Sequence, residues 1–390
     1  MNDFTFYNPT HFVFGRNAEL QIGEKAIEMG YSRILLVYGQ GSVLRSGLLE
    51  RVKESLISSN IAFFELGGIV PNPQDGPVYE GVRMVRENAL DCVLGVGGAS
   101  ALDTAKAIAV GALYDGDFWD FYAGKQKVSR ALPIISIPTI AAAGSESSSS
   151  SVITKTSIPL KRGINAELIR PMLALMNPTL TFTVPAIQKA YGVADMMAHI
   201  FERYFTNTKD VLLTDEMCEG VLRAIIKAGP KALFSPGDYA SHADIMWAGA
   251  LAHNNTLSTG REQDWSCHAM GHGISARFDA PHGAVLAVLF PFWMQCQLEH
   301  DLERFRRFAV QVMQVQEGPD AKTVAENGIQ RLRTFFDSLG LPHNLKTFGV
   351  QESDIDQLVN DVGYRPDGKI GFFRPLASED VRAIYRLALG

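Results

Sequence analysis

The chain has 390 residues, of which 46% are hydrophobic and 20% charged, and this length and balance are typical of a globular protein with two domains. Its net charge of −6 argues against nucleic-acid binding as the main role. The chain has no early apolar run with a basic flank and no long apolar run, so we expect neither a signal peptide nor a membrane span. The four cysteines form no CxxC pair, which favours a reducing cytoplasm.

The first half of the chain alternates strand and helix patterns. The aromatic segment from Phe4 to Gly15 predicts two short strands. Apolar runs such as Arg33–Tyr38 and Cys92–Val96 indicate strands buried on both faces, with helical patterns between them. This order predicts a Rossmann-like, doubly wound parallel sheet over residues 1–184. Helical patterns dominate residues 185–390, so we expect an all-helical second domain, with the active site in the cleft between the two domains.

A glycine-rich turn, Gly97-Gly98-Ala99-Ser100, joins a predicted strand to an alanine-rich helix. The free N–H groups at such a helix N-terminus favour phosphate binding. The turn matches neither GxGxxG nor the Walker motif, so a tight turn without a ligand stays an alternative.

A run of five serines, Ser147–Ser151, follows another buried strand. Serine-rich segments are often flexible linkers, but this run lies between strand-like segments and contains no proline or charge. We therefore prefer a second interpretation, in which these small residues let a ligand approach the backbone. Lys161 can reach a phosphate, a ribose or a substrate oxygen from nearby, although a solvated lysine is the simpler interpretation.

Histidines and one aspartate at helical spacing suggest a metal site. His268 and His272 are four residues apart, as are Asp195 and His199, so each pair shares a helix face, and His282 lies in a turn. Imidazole and carboxylate together favour Fe(II) or Zn(II), whereas surface ion pairs are the alternative. Spacing alone offers five candidates for about four ligand positions.

The order of these motifs resembles that of the iron-containing (group III) alcohol dehydrogenases, in particular the butanol dehydrogenase-like aldehyde reductases. The most specific stretch runs from Gln263 to His272, with Pro281-His282-Gly283 at the expected distance. The resemblance covers nearly the whole chain and implies the dehydroquinate synthase-like fold that this family shares. The departures are Ala99 in place of a third glycine and the alanine- and serine-rich loop from Ala141 to Ser151.

The resemblance also implies roles for single residues. Asp195, His199, His268 and His282 match the metal ligands, and His272 matches a histidine near the nicotinamide that is not a ligand. His272 and Asp103 are the residues we predict to be catalytic. The predicted cofactor-binding residues are Gly39, Gly41, Ser42, Asn72, Gly97, Gly98, Ser100, Thr139, Ser145, Ser148 and Lys161.

The implied reaction is hydride transfer between NAD(P)H and a small primary alcohol or aldehyde bound at Fe(II) or Zn(II). The turn from Gly39 to Ser42 lacks the acid that binds the ribose of NAD, and Arg45 is near, so we expect NADP(H) to be preferred over NAD(H). The alternatives are dehydroquinate synthase-like chemistry, a non-redox metallohydrolase and a non-catalytic interaction protein. We also expect a homodimer that binds neither nucleic acid nor membranes.

Overall fold

The computed structural model describes residues 1–158 and 160–390, which form two compact units. One unit comprises Tyr7–Thr183, and the other comprises Val184–Gly390 together with Met1–Phe6.

The first unit is built on a six-stranded sheet in the order β1-β8-β5-β4-β2-β3, and every neighbouring pair is parallel. Two further strands, β6 and β7, form a separate antiparallel hairpin, and the strand-like segment that follows the serine run lies in β6. The strands are β1 (His11–Phe14), β2 (Arg33–Gly39), β3 (Ala62–Ile69), β4 (Cys92–Gly97), β5 (Ile134–Pro138), β6 (Ser150–Lys155), β7 (Leu160–Asn165) and β8 (Leu173–Met176).

Both faces of this sheet are buried. Along β2, Ile34 and Leu36 pack into one hydrophobic cluster, whereas Leu35 and Val37 pack into the other. Because side chains alternate across a strand, an apolar run of this kind fills the cores on both sides at once. The helices of this unit are α1 (Ile22–Glu28), α2 (Gly41–Arg45), α3 (Leu48–Ser58), α4 (Asp75–Asn88), α5 (Ala99–Ala112) and α6 (Trp119–Tyr122).

The prediction of two N-terminal strands was wrong for the first of them, because residues 1–10 contain no regular element. The N-terminus instead packs within the helical unit, where the Asn2 N–H donates to the Gly260 carbonyl at 2.8 Å. Because the two residues are far apart in the sequence, no local sequence pattern could predict this hydrogen bond.

The second unit is helical, as predicted. Its elements are α7 (Ala186–Tyr204), α8 (Leu212–Phe234), α9 (Tyr239–His253), α10 (Ser266–Phe278), α11 (His282–Gln297), α12 (Leu302–Gln311), α13 (Ala321–Ser338), α14 (Ile355–Asp361) and α15 (Ser378–Leu389). Among the described residues, no helix combines the length and apolar character needed to cross a membrane.

Candidate functional site

Helix α7 carries the first two predicted metal ligands on one buried face. Asp195 and His199 are 6% and 5% exposed, and Nδ1 of His199 lies 3.7 Å from Oδ1 of Asp195. Burial holds the pKa of His199 well below its usual value, and the neighbouring imidazoles of His253 and His268 add to the effect. The His199 ring is therefore neutral, which is the form that ligates a cation.

Helices α10 and α11 bring the other two predicted ligands to α7. His268 lies in the first turn of α10, and His282 is the first residue of α11. Glycine at position 283 makes this approach possible, because a Cβ there would collide with the Tyr191 carbonyl and lie 3.2 Å from Cβ of Asp195. The sequence Pro281-His282-Gly283 thus places an imidazole at the start of one helix against the carboxylate of another.

Three of the predicted ligands converge. Asp195, His268 and His282 each offer a ligand atom, and these atoms lie within 4.8 Å of one another. Metal bonds of about 2.0–2.2 Å place ligand atoms up to roughly 4.4 Å apart, so a small movement of these three side chains would let them bind one ion. His199 lies beside this set, with its ring centroid 4.6 Å from that of His268. A carboxylate with imidazoles is the donor set that Fe(II) and Zn(II) accept.

His272, the fifth candidate, lies at the edge of this group. Its ring is half-buried and stacks on that of His282, with centroids 5.3 Å apart and planes 29° apart. It is not one of the three residues whose ligand atoms converge. The structure therefore separates a convergent set from two flanking imidazoles, which spacing alone does not do.

Glu202 is a site residue that sequence reasoning missed. Its Oε1 accepts the His268 N–H at 3.0 Å and lies 2.8 Å from Nδ1 of the same residue, and its Oε2 accepts the Trp265 N–H at 2.6 Å. Burial raises the pKa of Glu202 to about 8, although the N–H groups of His268 and Trp265 oppose this shift. The available signal was spacing, since Glu202 is three residues beyond His199 on a helix that is buried almost throughout.

The segment before α10 is fixed by a second buried carboxylate. Oδ1 of Asp264 accepts the N–H groups of Phe372 and Phe373 at 2.7 and 2.9 Å, and its Oδ2 accepts from Ser266. Between these anchors, Trp265 has φ 67°, a left-handed conformation that is unusual for a bulky residue. The start of α10 is thus held in a strained turn by contacts from distant parts of the chain.

A further histidine, also missed, packs against His199. The ring centroids of His253 and His199 are 4.1 Å apart, and Arg203 lies 3.1 Å from Nδ1 of His253. Because a guanidinium group only donates hydrogen bonds, Nδ1 of His253 accepts and its proton lies on Nε2.

In the sheet unit, the two predicted glycine turns are neighbours. Gly39 ends β2 and Gly97 ends β4, and a Cβ at Gly97 would lie 3.6 Å from the Gly39 nitrogen. The Thr139 N–H donates to the Gly97 carbonyl at 2.9 Å, and α5, with Ser100 in its first turn, begins directly after Gly98. These residues therefore meet at the carboxyl edge of the sheet, where doubly wound folds bind ligands.

The serine run is a hydrogen-bonded turn that leads into β6, which begins at Ser150. The Asp103 carboxylate accepts the Ser145 hydroxyl at 2.7 Å and the Val152 N–H at 3.0 Å, and Nζ of Lys106 donates to the carbonyl and hydroxyl oxygens of Ser148, both at 3.0 Å. Burial lowers the pKa of Lys106 to about 8 and raises that of Asp103. The carboxylate predicted to be catalytic thus holds a loop that carries two of the predicted cofactor-binding residues.

The remaining predicted cofactor residues form two groups. Lys161, on β7, donates to the Asn72 side chain at 2.9 Å, so the structure brings these two residues together. In the short helix α2, the Arg45 guanidinium lies against the α-carbon of Gly41, beside the exposed Ser42.

Comparisons with known proteins identify the family. The chain matches the family model described as iron-containing alcohol dehydrogenase over residues 9–178, and the model for the C-terminal part of the Fe-containing family over residues 189–389. The chain belongs to the iron-containing alcohol dehydrogenase family. This confirms the resemblance read from its motifs.

Similar proteins match over nearly their whole lengths. The chain is 39% identical to NADH-dependent butanol dehydrogenase A of Clostridium acetobutylicum over 387 residues, 99% of each chain. It is 32% identical to the NADPH-dependent aldehyde reductase YqhD of Escherichia coli K12, with 100% of each chain covered. The crystal structure of NADH-dependent butanol dehydrogenase A from Thermotoga maritima matches with a TM-score of 0.96 and 35% identity, covering 100% of this chain and 99% of that one.

These findings confirm the predicted fold and reaction class. The protein is a nicotinamide-linked alcohol dehydrogenase or aldehyde reductase of a metal-dependent family. The comparisons favour this activity over the dehydroquinate synthase-like and non-redox alternatives. The matched relatives include both NADH- and NADPH-dependent enzymes.

Proposed function

We propose that this protein reduces a small aldehyde and oxidises the corresponding primary alcohol, with NADPH preferred over NADH and one Fe(II) or Zn(II) ion held by Asp195, His199, His268 and His282. The observation that carries the proposal is the convergence of three of these side chains within 4.8 Å. The donors are neutral imidazole and carboxylate, which fit these two metals better than Mg²⁺ or Ca²⁺. When bound, such an ion supplies Lewis acidity that polarises a carbonyl oxygen.

The protein's own residues then orient the reactants and move a proton. His272 is proposed to exchange a proton with the substrate oxygen through its imidazole, since it is half-buried at the edge of the metal ligands. Asp103 is proposed to hold the loop that binds the cofactor, since its carboxylate accepts the hydroxyl of Ser145. The His272→Ala variant should lower kcat while leaving metal affinity unchanged, and an unchanged kcat would remove this role.

The cofactor is proposed to lie along the carboxyl edge of the sheet. Gly97, Gly98 and Ser100 offer the N-terminus of α5 to the pyrophosphate. The other proposed contacts come from Asn72, Thr139, Ser145, Ser148 and Lys161. The hydrogen bond between Asn72 and Lys161 supports a shared role for those two side chains.

The preference for NADPH rests on the turn after β2. This turn runs from Gly39 to Ser42 without an acidic residue, and the Arg45 guanidinium lies against it. A guanidinium group binds phosphate through paired hydrogen bonds, whereas an acid at this place would repel the 2′-phosphate.

Nicotinamide absorbance tests this proposal directly. The purified protein is mixed with a medium-chain aldehyde and either NADPH or NADH, before and after chelation and after return of Fe(II) or Zn(II). We expect metal-dependent oxidation of NADPH, with a higher kcat/KM than for NADH. Equal or better use of NADH would overturn the cofactor preference, and unchanged activity after complete removal of metal would overturn the role of the ion.

We also propose a cytoplasmic homodimer. Cys92, Cys218, Cys267 and Cys296 are all free thiols, which suits a reducing compartment. The strand β1 lies at the edge of the sheet, and an uncovered edge favours pairing with another chain. Light scattering after size-exclusion chromatography should give twice the chain mass, and a monomer mass would contradict the dimer.

A further inference from the structure

Glu202 lies beside the convergent ligands without belonging to them. Its carboxylate is 1% exposed and faces both the backbone and the imidazole of His268. A buried carboxylate is costly unless several hydrogen bonds hold it. Glu202 has such partners, and one of them is a side chain that we propose as a metal ligand.

We propose that Glu202 is a positioning residue for the metal, which fixes His268 in the tautomer with its proton on Nδ1 and leaves Nε2 to face the ion. The inference rests on the metal site proposed above. It concerns a residue outside the four ligands.

The hydrogen bonds around Glu202 determine this tautomer. The backbone N–H groups of Trp265 and His268 are obligate donors, so each needs an acceptor on the carboxylate. Oε1 already accepts from the His268 backbone and also faces Nδ1 of the same residue at 2.8 Å. Both carboxylate oxygens therefore act as acceptors, so Nδ1 is the donor of this contact.

The contact between Glu202 and His268 suits a metal ligand. An acceptor behind a ligating imidazole fixes the orientation of the ring and raises its basicity. The helix that supplies Asp195 and His199 thus also fixes a ligand that belongs to a different helix.

A purely structural role for Glu202 makes a different prediction. Trp265 is in a left-handed conformation, and Glu202 accepts its N–H, so Glu202 could serve only to hold that turn. Asp264 holds the same turn through Ser266, Phe372 and Phe373, and within the described part of the chain it accepts no hydrogen bond from a histidine side chain. Asp264→Asn is therefore the matched control for Glu202→Gln.

The test measures metal affinity in the full-length protein. Zn²⁺ and Co²⁺ are titrated against a chromophoric chelator into the metal-free wild type and both variants, and the Tm of each metal-free protein is recorded. The amide of Glu202→Gln has a single acceptor oxygen for three donors, so we expect its Kd to rise by roughly 10- to 100-fold. Asp264→Asn should lower the Tm but leave the Kd close to that of the wild type.

Equal loss of metal affinity in both variants, or a wild-type Kd in Glu202→Gln, would overturn the inference and leave the metal site standing. A wild-type protein that binds neither ion would contradict the metal site and this inference together. A second measurement needs no variant at Glu202: ¹⁵N chemical shifts of the histidine rings in the Zn²⁺-loaded wild type should show His268 protonated on Nδ1. An Nε2–H tautomer would overturn the role of Glu202 even if the Gln variant failed to fold.

Discussion

Gly283→Ala tests whether the close approach of α11 to α7 creates the metal site. The added Cβ would collide with the Tyr191 carbonyl oxygen, lie 2.8 Å from the Tyr191 carbonyl carbon, and lie 3.2 Å from Cβ of Asp195. Backbone atoms cannot rotate away as a flexible side chain can. The start of α11 must therefore shift, and it carries His282 away from Asp195.

The expected cost follows from overpacking. Such a substitution typically lowers the free energy of unfolding by about 1–3 kcal/mol. For a domain of this size, each 1 kcal/mol lowers the Tm by roughly 2–4 °C. Displacement of a ligating side chain should also weaken metal binding by at least about tenfold.

Gly273→Ala is the matched control. Gly273 lies inside α10, and a Cβ there would have ordinary contacts of 3.5 Å with Asp361 and 3.7 Å with Leu358. Alanine in a helix interior is favoured over glycine by about 0.8–1.0 kcal/mol, so this variant should keep its metal affinity and keep or raise its Tm.

Calorimetry of the metal-free proteins and chelator-competition titrations measure both effects. If Gly283→Ala bound metal as tightly as the wild type and Gly273→Ala, the approach of α11 to α7 would not be what creates the site.

Three further predictions concern single side chains. His268→Ala should weaken metal binding by more than about 100-fold and abolish turnover, because it removes a ligand rather than its support; an active enzyme free of metal would refute this assignment. Arg45→Met should raise the KM for NADPH by roughly 10- to 150-fold, because it removes a charge-assisted hydrogen bond worth about 1.5–3 kcal/mol. The KM for NADH should stay nearly unchanged. If the KM values for both cofactors rose in parallel, Arg45 would not contact the 2′-phosphate. Burial lowers the pKa of His242 to about 4, so the unfolded chain binds a proton that the native state does not, and stability falls as pH drops from about 6.5 to about 4. His242→Gln should flatten that part of the stability profile in denaturant titrations, and an unchanged slope would contradict the shift.

Patterns that are local in the sequence predicted most of the fold. The apolar runs of β2 and β4 marked strands buried on both faces, and the helical patterns over residues 185–390 predicted the all-helical second unit. These elements fold according to their own side chains, so their sequences are sufficient to identify them.

Features that depend on distant partners were not predicted. The N-terminal segment is held by a bond from Asn2 to Gly260, and the turn before α10 by bonds from Asp264 to Phe372 and Phe373. Glu202 is three residues after His199, a spacing that places both side chains on one face of α7. Its role, however, depends on its contact with His268 on α10. Spacing also could not separate His272 from His268, because both lie on α10 and the separation depends on where α7 and α11 pack against that helix.

The most direct test of the central claim is a titration of metal into the stripped enzyme, with bound metal and NADPH-dependent aldehyde reduction measured on the same samples. If Asp195, His199, His268 and His282 hold the catalytic ion, activity and bound metal should rise together and reach a plateau at one ion per chain. Full activity before any ion is bound, or an ion bound at one per chain without activity toward any aldehyde, would contradict the account.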